Sequence, residues 1–130
     1  MVVDASAIVA VIAREPELEV FIMRLSEARL RITHAVSVWE AATAIARLSK
    51  LPPIKAFDEV REFLNLVELP VASISIAQTR AAMGAFESYG RTSGHPARLN
   101  LGDCYSYGLA TIHGMPLLDK GNDFLHTPLG

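Results

Sequence analysis

Short apolar runs alternate with longer amphipathic segments along this chain. An apolar run bounded by polar or turn residues predicts a buried strand, whereas apolar residues recurring every three or four positions predict a helix. Val38, Ala41 and Ile45 share one face of such a helix, and Pro52-Pro53 ends it because proline cannot continue the helical hydrogen bonding. The predicted strands are residues 1–3, 30–33, 67–69 and 116–118, and the predicted helices are residues 5–13, 17–28, 36–51, 56–66, 76–89 and 101–113.

This alternation of strands and helices predicts an α/β sandwich with a mostly parallel sheet. No shift in composition separates two regions large enough to fold alone, so we expect a single domain of residues 1–130. In such folds ligands bind beyond the carboxyl ends of the strands. Asp4 stands at such an end, and so does the segment of residues 119–123.

Composition narrows the possible functions. Hydrophobic residues make up 51% of the chain, which excludes a disordered protein and leaves apolar surface for a partner or a dimer. The formal net charge of -2 does not indicate a strongly basic nucleic-acid-binding domain. The single cysteine, Cys104, excludes a disulfide framework and favours a cytoplasmic location. No apolar run approaches the ~20 residues of a membrane-spanning helix, so no membrane contact is expected.

Four acidic residues lie close to predicted strand ends or helix starts. If the strands are parallel, several of these acids lie at one edge of the sheet. Asp4 ends the first predicted strand, Glu40 lies early in the helix after the second, Asp103 begins a late helix, and Asp123 follows the last strand. Neighbouring carboxylates repel one another, so they need a cation or raised pKa values. Oxygen ligands suit Mg²⁺ or Mn²⁺. The set is that of a metal-dependent phosphodiesterase, in which a metal-activated water is the nucleophile.

Each of these acids, taken alone, also has an ordinary structural interpretation. The prediction of a metal site therefore rests on the four acids together and on no single one of them. The alternatives are an N-cap at Asp4, a turn at Asp123, a capping box formed by Asn100 and Asp103, and an ion pair between Glu40 and Arg47.

Four segments of the chain together resemble the PIN-domain nucleases, and specifically the VapC toxins of bacterial toxin–antitoxin pairs. They are MVVDASAIVA, SVWEAATAI, LNLGDCYSYGLA and PLLDKGNDFLHTPL, and they span almost the whole chain in the family's order. The resemblance implies a three-layer α/β/α sandwich with a mostly parallel central sheet. It also implies a Mg²⁺- or Mn²⁺-dependent endoribonuclease that cleaves a specific cellular RNA, either transfer RNA or ribosomal RNA.

The resemblance also implies roles for individual acids. Asp4 and Asp103 match the two acids that bind the metal directly. Glu40 matches the second acid of the family, and Asp123 matches the more variable fourth, both of which can act on the metal through water. All four are therefore expected to be catalytic.

Two supporting residues follow from the same comparison. Ser6 matches a small hydroxyl residue that holds the site beneath the first acid, and Asn100 matches an asparagine that orients the loop before Asp103. Asp119 departs from the family, which usually has an aromatic or apolar residue there. It is either a fifth acid near the pocket or, as we expect, a residue that faces solvent or pairs with Lys120.

Three basic residues are candidates for an RNA-binding rim. Arg91 and Arg98 lie in the loop before the helix that begins at Leu101, and Lys120 follows the last strand. Cations there would contact RNA phosphates, but a solvated loop explains Arg91 and Arg98 equally well. None of the chain's four histidines is assigned a catalytic role.

The apolar surface has an explanation consistent with the resemblance. VapC-like proteins commonly dimerise, and a VapB-like antitoxin masks them, so we expect a homodimer or a toxin–antitoxin hetero-oligomer. The helices before the second strand, and those that follow up to Leu66, would form a groove for an antitoxin segment.

Two other functions remain open at this point. A phosphoryl-transfer enzyme of the haloacid dehalogenase type also begins with an aspartate after its first strand. That chemistry usually needs a second aspartate two residues later, where this chain has Ser6. The other alternative is a catalytically silent PIN-fold module that only binds protein or RNA, and the presence of all four acids argues against it.

Overall fold

The computed structural model describes residues 1–129. Its sheet consists of short parallel strands, in which β1 pairs with β4 and β2 pairs with β3. A further parallel bridge between Val2 and Ile32 links the two pairs into one layer. The strands are β1 (Val2–Val3), β2 (Thr33–His34), β3 (Val71–Ala72) and β4 (Leu117–Leu118).

Six helices surround the sheet within the described part of the chain. Side-chain caps begin four of them, because Asp4, His34, Ser75 and Asn100 each accept a hydrogen bond from a backbone N–H of the first helical turn. The helices are α1 (Ala5–Ile12), α2 (Leu18–Glu27), α3 (Ala35–Ser49), α4 (Pro53–Leu66), α5 (Ile76–Tyr89) and α6 (Leu101–His113).

The helices form layers on both faces of the sheet. Val3 and Leu118 pack into one apolar cluster with residues of α1, α2, α3 and α4. Val2 and Leu117 pack into a second cluster with residues of α5 and α6. Successive side chains of a strand point to opposite faces, so β1 and β4 each contribute to both cores. The expected three-layer α/β/α sandwich with parallel strands is therefore confirmed.

The predicted helices are all present, but two predicted strands are displaced. The strand expected at residues 67–69 is wrong, because Val67 is the C-cap of α4 and Leu69 is buried in the first apolar cluster. Pairing begins only after Pro70, whose carbonyl accepts a hydrogen bond from the Thr33 N–H at 3.0 Å. The strand expected at residues 30–33 begins at Thr33 instead. No helix within residues 1–129 is long and apolar enough to cross a membrane.

Candidate active site

Two chain segments meet at the carboxyl ends of the paired strands β1 and β4. Asp4 directly follows β1, and Asp119 directly follows β4. The Asp4 N–H donates to the Leu118 carbonyl at 2.9 Å, and the Lys120 N–H donates to the Ser6 hydroxyl at 2.9 Å. These bonds join the first turn of α1 to the segment that follows the last strand.

The carboxylate of Asp4 is only 5% exposed and is held from two helices. Its Oδ2 accepts hydrogen bonds from the Ser6 backbone N–H at 3.1 Å and from the Ser6 hydroxyl at 2.8 Å. Its Oδ1 accepts one from the Ser106 hydroxyl on α6 at 2.7 Å. The N-cap interpretation of Asp4 is therefore correct, and the same carboxylate also acts electrostatically on other acids.

Glu40 projects from α3 against the first turn of α6. A β-carbon on Gly102 would lie 1.6 Å from its Oε1 atom, so only glycine leaves room for this carboxyl group. Burial, followed by the charges of Asp4 and Asp123, raises the pKa of Glu40 to about 7. The alternative interpretation of Glu40, an ion pair with Arg47, is not found among the described residues.

Asp103 is 6% exposed and completes the capping box predicted for α6. The Asp103 N–H donates to Asn100 Oδ1 at 2.9 Å, and the Asn100 N–H donates to Asp103 Oδ2 at 3.0 Å. Burial raises the pKa of Asp103 to about 7, against the hydrogen bond from Asn100 and together with the charges of Asp4, Asp123 and Glu40. Asp103 thus caps α6 and also lies near the other acids of the site.

The last two acids lie after β4. Asp123 is exposed, yet its charge contributes to raising the pKa of Glu40 and of Asp119. Asp119 is half-buried, and burial followed by the charges of Asp4 and Asp123 raises its pKa to about 6, while Arg24 opposes the shift. Asp119 therefore lies close enough to Asp4 and Asp123 for their charges to affect its pKa.

Of the two outcomes expected for Asp119, exposure to solvent or pairing with Lys120, the pairing is not found among the described residues. Lys120 forms ion pairs with Glu15 and Glu17 instead, and these contacts hold the segment after β4 against the turn between α1 and α2. The other two proposed rim residues, Arg91 and Arg98, are exposed on the loop between α5 and α6.

The donor chemistry of this acidic site fits a hard divalent cation. Carboxylate oxygens are the ligands that Mg²⁺ and Mn²⁺ prefer. The adjacent Cys104 is not a competing soft ligand, because burial and the charge of Asp103 raise the pKa of its thiol to about 11. Within residues 1–129 no three His, Cys, Asp or Glu side chains are close enough to hold a metal ion as they stand. The acids interact through their charges, and a cation would offset that repulsion.

Three further residues near Asp4 are not identified by the sequence pattern described above: His34, Ser37 and Ser106. His34, at 1% exposure, has its Nε2 atom 2.9 Å from the Ser106 hydroxyl and 3.1 Å from the Ser37 hydroxyl. Ser106 follows Asp103 by three positions in α6, so both lie on one helix face. That spacing, together with the position of His34 at the end of a strand, is the signal that could have identified them.

The chain matches the family described as PIN domain across residues 1–129. It therefore belongs to the PIN-domain family, as the resemblance of its four segments predicted. Membership of this family excludes the haloacid dehalogenase alternative.

Within that family the chain is similar to VapC ribonucleases of Mycobacterium tuberculosis. It is 40% identical to Ribonuclease VapC42, a match that covers 99% of this chain and 96% of that protein. It is 41% identical to Ribonuclease VapC28, covering 98% and 93% of the two chains. It is 37% identical to Ribonuclease VapC30, covering 99% and 95%.

The contact between Glu40 and Gly102 leads to a first prediction. In Gly102→Ala the new methyl group displaces the carboxyl group of Glu40, because the end of a long side chain moves more easily than a helix backbone. We expect the pKa of Glu40 to fall from about 7 toward its ordinary value of 4.5, as measured by ¹³C NMR titration of the carboxyl carbon.

Gly84→Ala is the matched control, since a β-carbon at Gly84 meets nothing within 4 Å. That variant should leave the pKa of Glu40 unchanged and, at this exposed position of α5, stabilise the protein by about 0.5–1 kcal/mol. A Glu40 pKa that stays at about 7 in Gly102→Ala would contradict the contact.

A second prediction concerns the pH dependence of stability without metal. Glu40 and Asp103 have folded-state pKa values of about 7, above their ordinary values of 4.5 and 3.8. The folded protein therefore binds more protons than the unfolded chain between these limits. Their contribution to stability is fully present below the ordinary values and is lost as the pH rises through about 7.

Glu40→Gln should consequently be more stable than the wild-type protein at pH about 8 and should lose that advantage at pH about 5. Urea unfolding of both proteins in metal-free buffer measures the difference. Glu59→Gln, at an exposed position of α4, is the control and should show no such pH dependence. Parallel stability curves for Glu40→Gln and the wild-type protein would refute the assignment.

Proposed function

We propose that this chain is a metal-dependent endoribonuclease toxin, consisting of one PIN domain over residues 1–130 and neutralised by a VapB-like antitoxin. The observation that carries the proposal is the convergence on α6: Ser106 of this helix donates to the Asp4 carboxylate, and its first turn holds Asp103 and packs against the Glu40 carboxyl group. These acids come from three separate segments and interact at one edge of the sheet. The similarity of the whole chain to proteins named VapC ribonucleases supports the same activity.

The proposed roles follow from how each acid is held. Asp4 and Asp103 are the direct metal ligands, because both are buried and fixed by hydrogen bonds. Glu40 and Asp123 act on the metal through water. Ser6 orients Asp4 with two hydrogen bonds, and Asn100 holds Asp103 at the start of α6.

A bound Mg²⁺ or Mn²⁺ would lower the pKa of a coordinated water and so supply a nucleophile near neutral pH. The protein's own contribution is to bring carboxylates together and to hold Asp4 and Asp103 apart from solvent. Because the pKa values of Glu40 and Asp103 are about 7, both carboxyl groups hold protons during part of the neutral range and release them when a cation binds. Affinity for the metal should therefore rise with pH.

Recognition of RNA is assigned to the exposed loop between α5 and α6. Arg91 and Arg98 extend from this loop, next to the start of the helix that carries Asp103. Lys120 contributes less, because Glu15 and Glu17 already offset its charge. The substrate is a single-stranded loop of transfer RNA or ribosomal RNA, since unpaired bases are what proteins read in RNA. The single cysteine supports action in the cytoplasm.

The antitoxin-binding surface is proposed to be the apolar groove between α3 and α4. This groove has a volume of about 570 Å³, and Arg61 supplies a cation at its wall. Trp39 and Ile54 line it while remaining 67% and 73% exposed, and exposed apolar side chains clustered in this way are typical of a protein interface. A second apolar cavity of about 440 Å³, between α5 and α6, is the proposed surface for self-association.

The nuclease proposal is tested with the double variant Asp4→Asn, Asp103→Asn, purified without antitoxin beside the wild-type protein. Each is incubated with total cellular RNA in Mg²⁺, in Mn²⁺ and in EDTA. We expect discrete fragments from the wild-type protein only, and none in EDTA. The variant should lose more than about 100-fold in rate, since even indirect contacts of metal ligands change activity by about 10–100-fold.

Arg47→Gln serves as a charge-change control on α3, away from the acids' hydrogen bonds, and should retain cleavage. Folded wild-type protein that binds RNA but cleaves none would favour the binding-module alternative. Cleavage that survives in the double variant would show that the two ligands have been assigned wrongly.

The groove is tested by substituting Trp39→Ser together with Phe57→Ser, two apolar residues that line it. Cells that express the toxin should stop growing, and co-expression of a cognate VapB-like antitoxin should restore growth. With the substituted groove we expect RNA cleavage to persist and rescue to fail. Ile112→Ser, an exposed apolar position at the end of α6, should leave rescue intact. Rescue of the groove variant would place the antitoxin elsewhere.

A further inference from the structure

Each oxygen of the Asp4 carboxylate accepts a hydrogen bond from a serine hydroxyl group. Each of these hydroxyl groups has a second hydrogen-bond partner. Ser6 donates to Oδ2 at 2.8 Å, and its hydroxyl accepts the Lys120 N–H at 2.9 Å. Ser106 donates to Oδ1 at 2.7 Å, and its hydroxyl lies 2.9 Å from His34 Nε2. The Ser6 arm matches the family pattern, whereas the arm through Ser106 and His34 comes from the structure alone.

The geometry determines which nitrogen of His34 carries the proton. The backbone N–H of Ser37 points at His34 Nδ1 at 3.2 Å, and a backbone N–H can only donate. Nδ1 is therefore an unprotonated acceptor, and the ring is neutral with its proton on Nε2. The burial of His34 agrees with this, because it lowers the pKa of the ring to about 4, against the raising effect of the Asp4 charge.

This tautomer orients the hydroxyl group of Ser106. A protonated Nε2 cannot accept a hydrogen bond, so its one N–H is shared between Ser106 Oγ at 2.9 Å and Ser37 Oγ at 3.1 Å. The single hydroxyl proton of Ser106 is then directed to Asp4 Oδ1. The chain of donors runs in one direction, from the Ser37 backbone through His34 and Ser106 to the carboxylate.

The count of hydrogen bonds on Asp4 gives this arrangement a consequence for metal binding. An ionised carboxylate has about four lone-pair positions. Within the described residues Asp4 accepts three hydrogen bonds, two at Oδ2 and one at Oδ1. One position on Oδ1 remains for a cation, and its direction depends on the bond from Ser106.

We propose that Ser106 and His34 are positioning residues that fix the Asp4 carboxylate in the orientation that binds the divalent cation. This inference rests on the proposed function. It adds Ser106 and His34 as outer contacts of the proposed metal ligand Asp4. Outer contacts of this kind typically change metal affinity by about 10–100-fold when removed. A purely structural role would affect stability and leave metal affinity unchanged.

The test measures Mn²⁺ binding by isothermal titration calorimetry, with the thermal midpoint recorded for every variant. Ser106→Ala should bind Mn²⁺ about 10–100-fold more weakly than the wild-type protein. Ser106→Thr keeps the hydroxyl group and should retain most of the affinity. Ser26→Ala, which removes an exposed hydroxyl from α2, is the matched control and should bind as the wild-type protein does.

His34→Asn separates capping from positioning. Asparagine is a good N-cap and can still accept the Ser37 N–H, but its side chain is too short to replace the ring nitrogen at Ser106. We expect α3 to remain folded in this variant while Mn²⁺ affinity falls as in Ser106→Ala. The ¹⁵N shifts of the His34 ring in the metal-free protein report the tautomer directly and should show the proton on Nε2.

The outcomes distinguish this proposal from the proposed function. Wild-type affinity in a folded Ser106→Ala variant, or a proton on Nδ1 of His34, would overturn the positioning roles and leave the nuclease proposal standing. Weakened Mn²⁺ binding in a protein that cleaves no RNA would support the positioning roles and overturn the nuclease. A wild-type protein that binds no Mn²⁺ would overturn both.

Discussion

The burial of one charged carboxylate, that of Asp4, is the constraint on which the rest of the structure depends. A buried charge is stable only when its oxygens are hydrogen-bonded. Asp4 meets this requirement by capping α1 through Ser6 and by accepting a hydrogen bond from Ser106, which lies 102 residues away in α6. The same bonds that make burial tolerable therefore join the first strand to a helix of the opposite layer. Fold and candidate site share one set of contacts.

The other acids are assembled around that charge at an energetic cost. Burial and mutual repulsion raise the pKa values of Glu40, Asp103 and Asp119. Local devices hold them in place despite this repulsion: a capping box for Asp103 and a close-fitting glycine beneath Glu40. Asp103 and Glu40 are thus fixed by a helix end and a close neighbour, and a long sheet is not required to align them.

Features that depend on residues close together in the sequence could be predicted from it. Features that depend on residues far apart in the sequence could not. Helices were predictable because their caps and apolar spacing are local, and the capping box of Asn100 and Asp103 is visible in four residues. The strand at Val71–Ala72 differs from the one predicted at residues 67–69, because two apolar residues after Pro70 form too short a run to be distinguished from the neighbouring Val67 and Leu69. The bond from His34 to Ser106 spans 72 residues. Only the folded chain reveals such a contact, and the same holds for the ion pairs that Lys120 makes with Glu15 and Glu17.

The loop between α5 and α6 is closed at its base, where Gly90 bridges Leu99 and the Leu99 N–H donates to the Tyr89 carbonyl at 2.8 Å. The capping box then starts α6 immediately after this closure. Residues 91–98 are therefore insulated from Asp103, because their conformation does not set where the helix begins. A lineage could exchange or lengthen this loop, and with it the surface offered to a substrate, while the acidic centre stayed in register. The fold thus separates a surface loop that can change from the acidic site that has to keep its geometry.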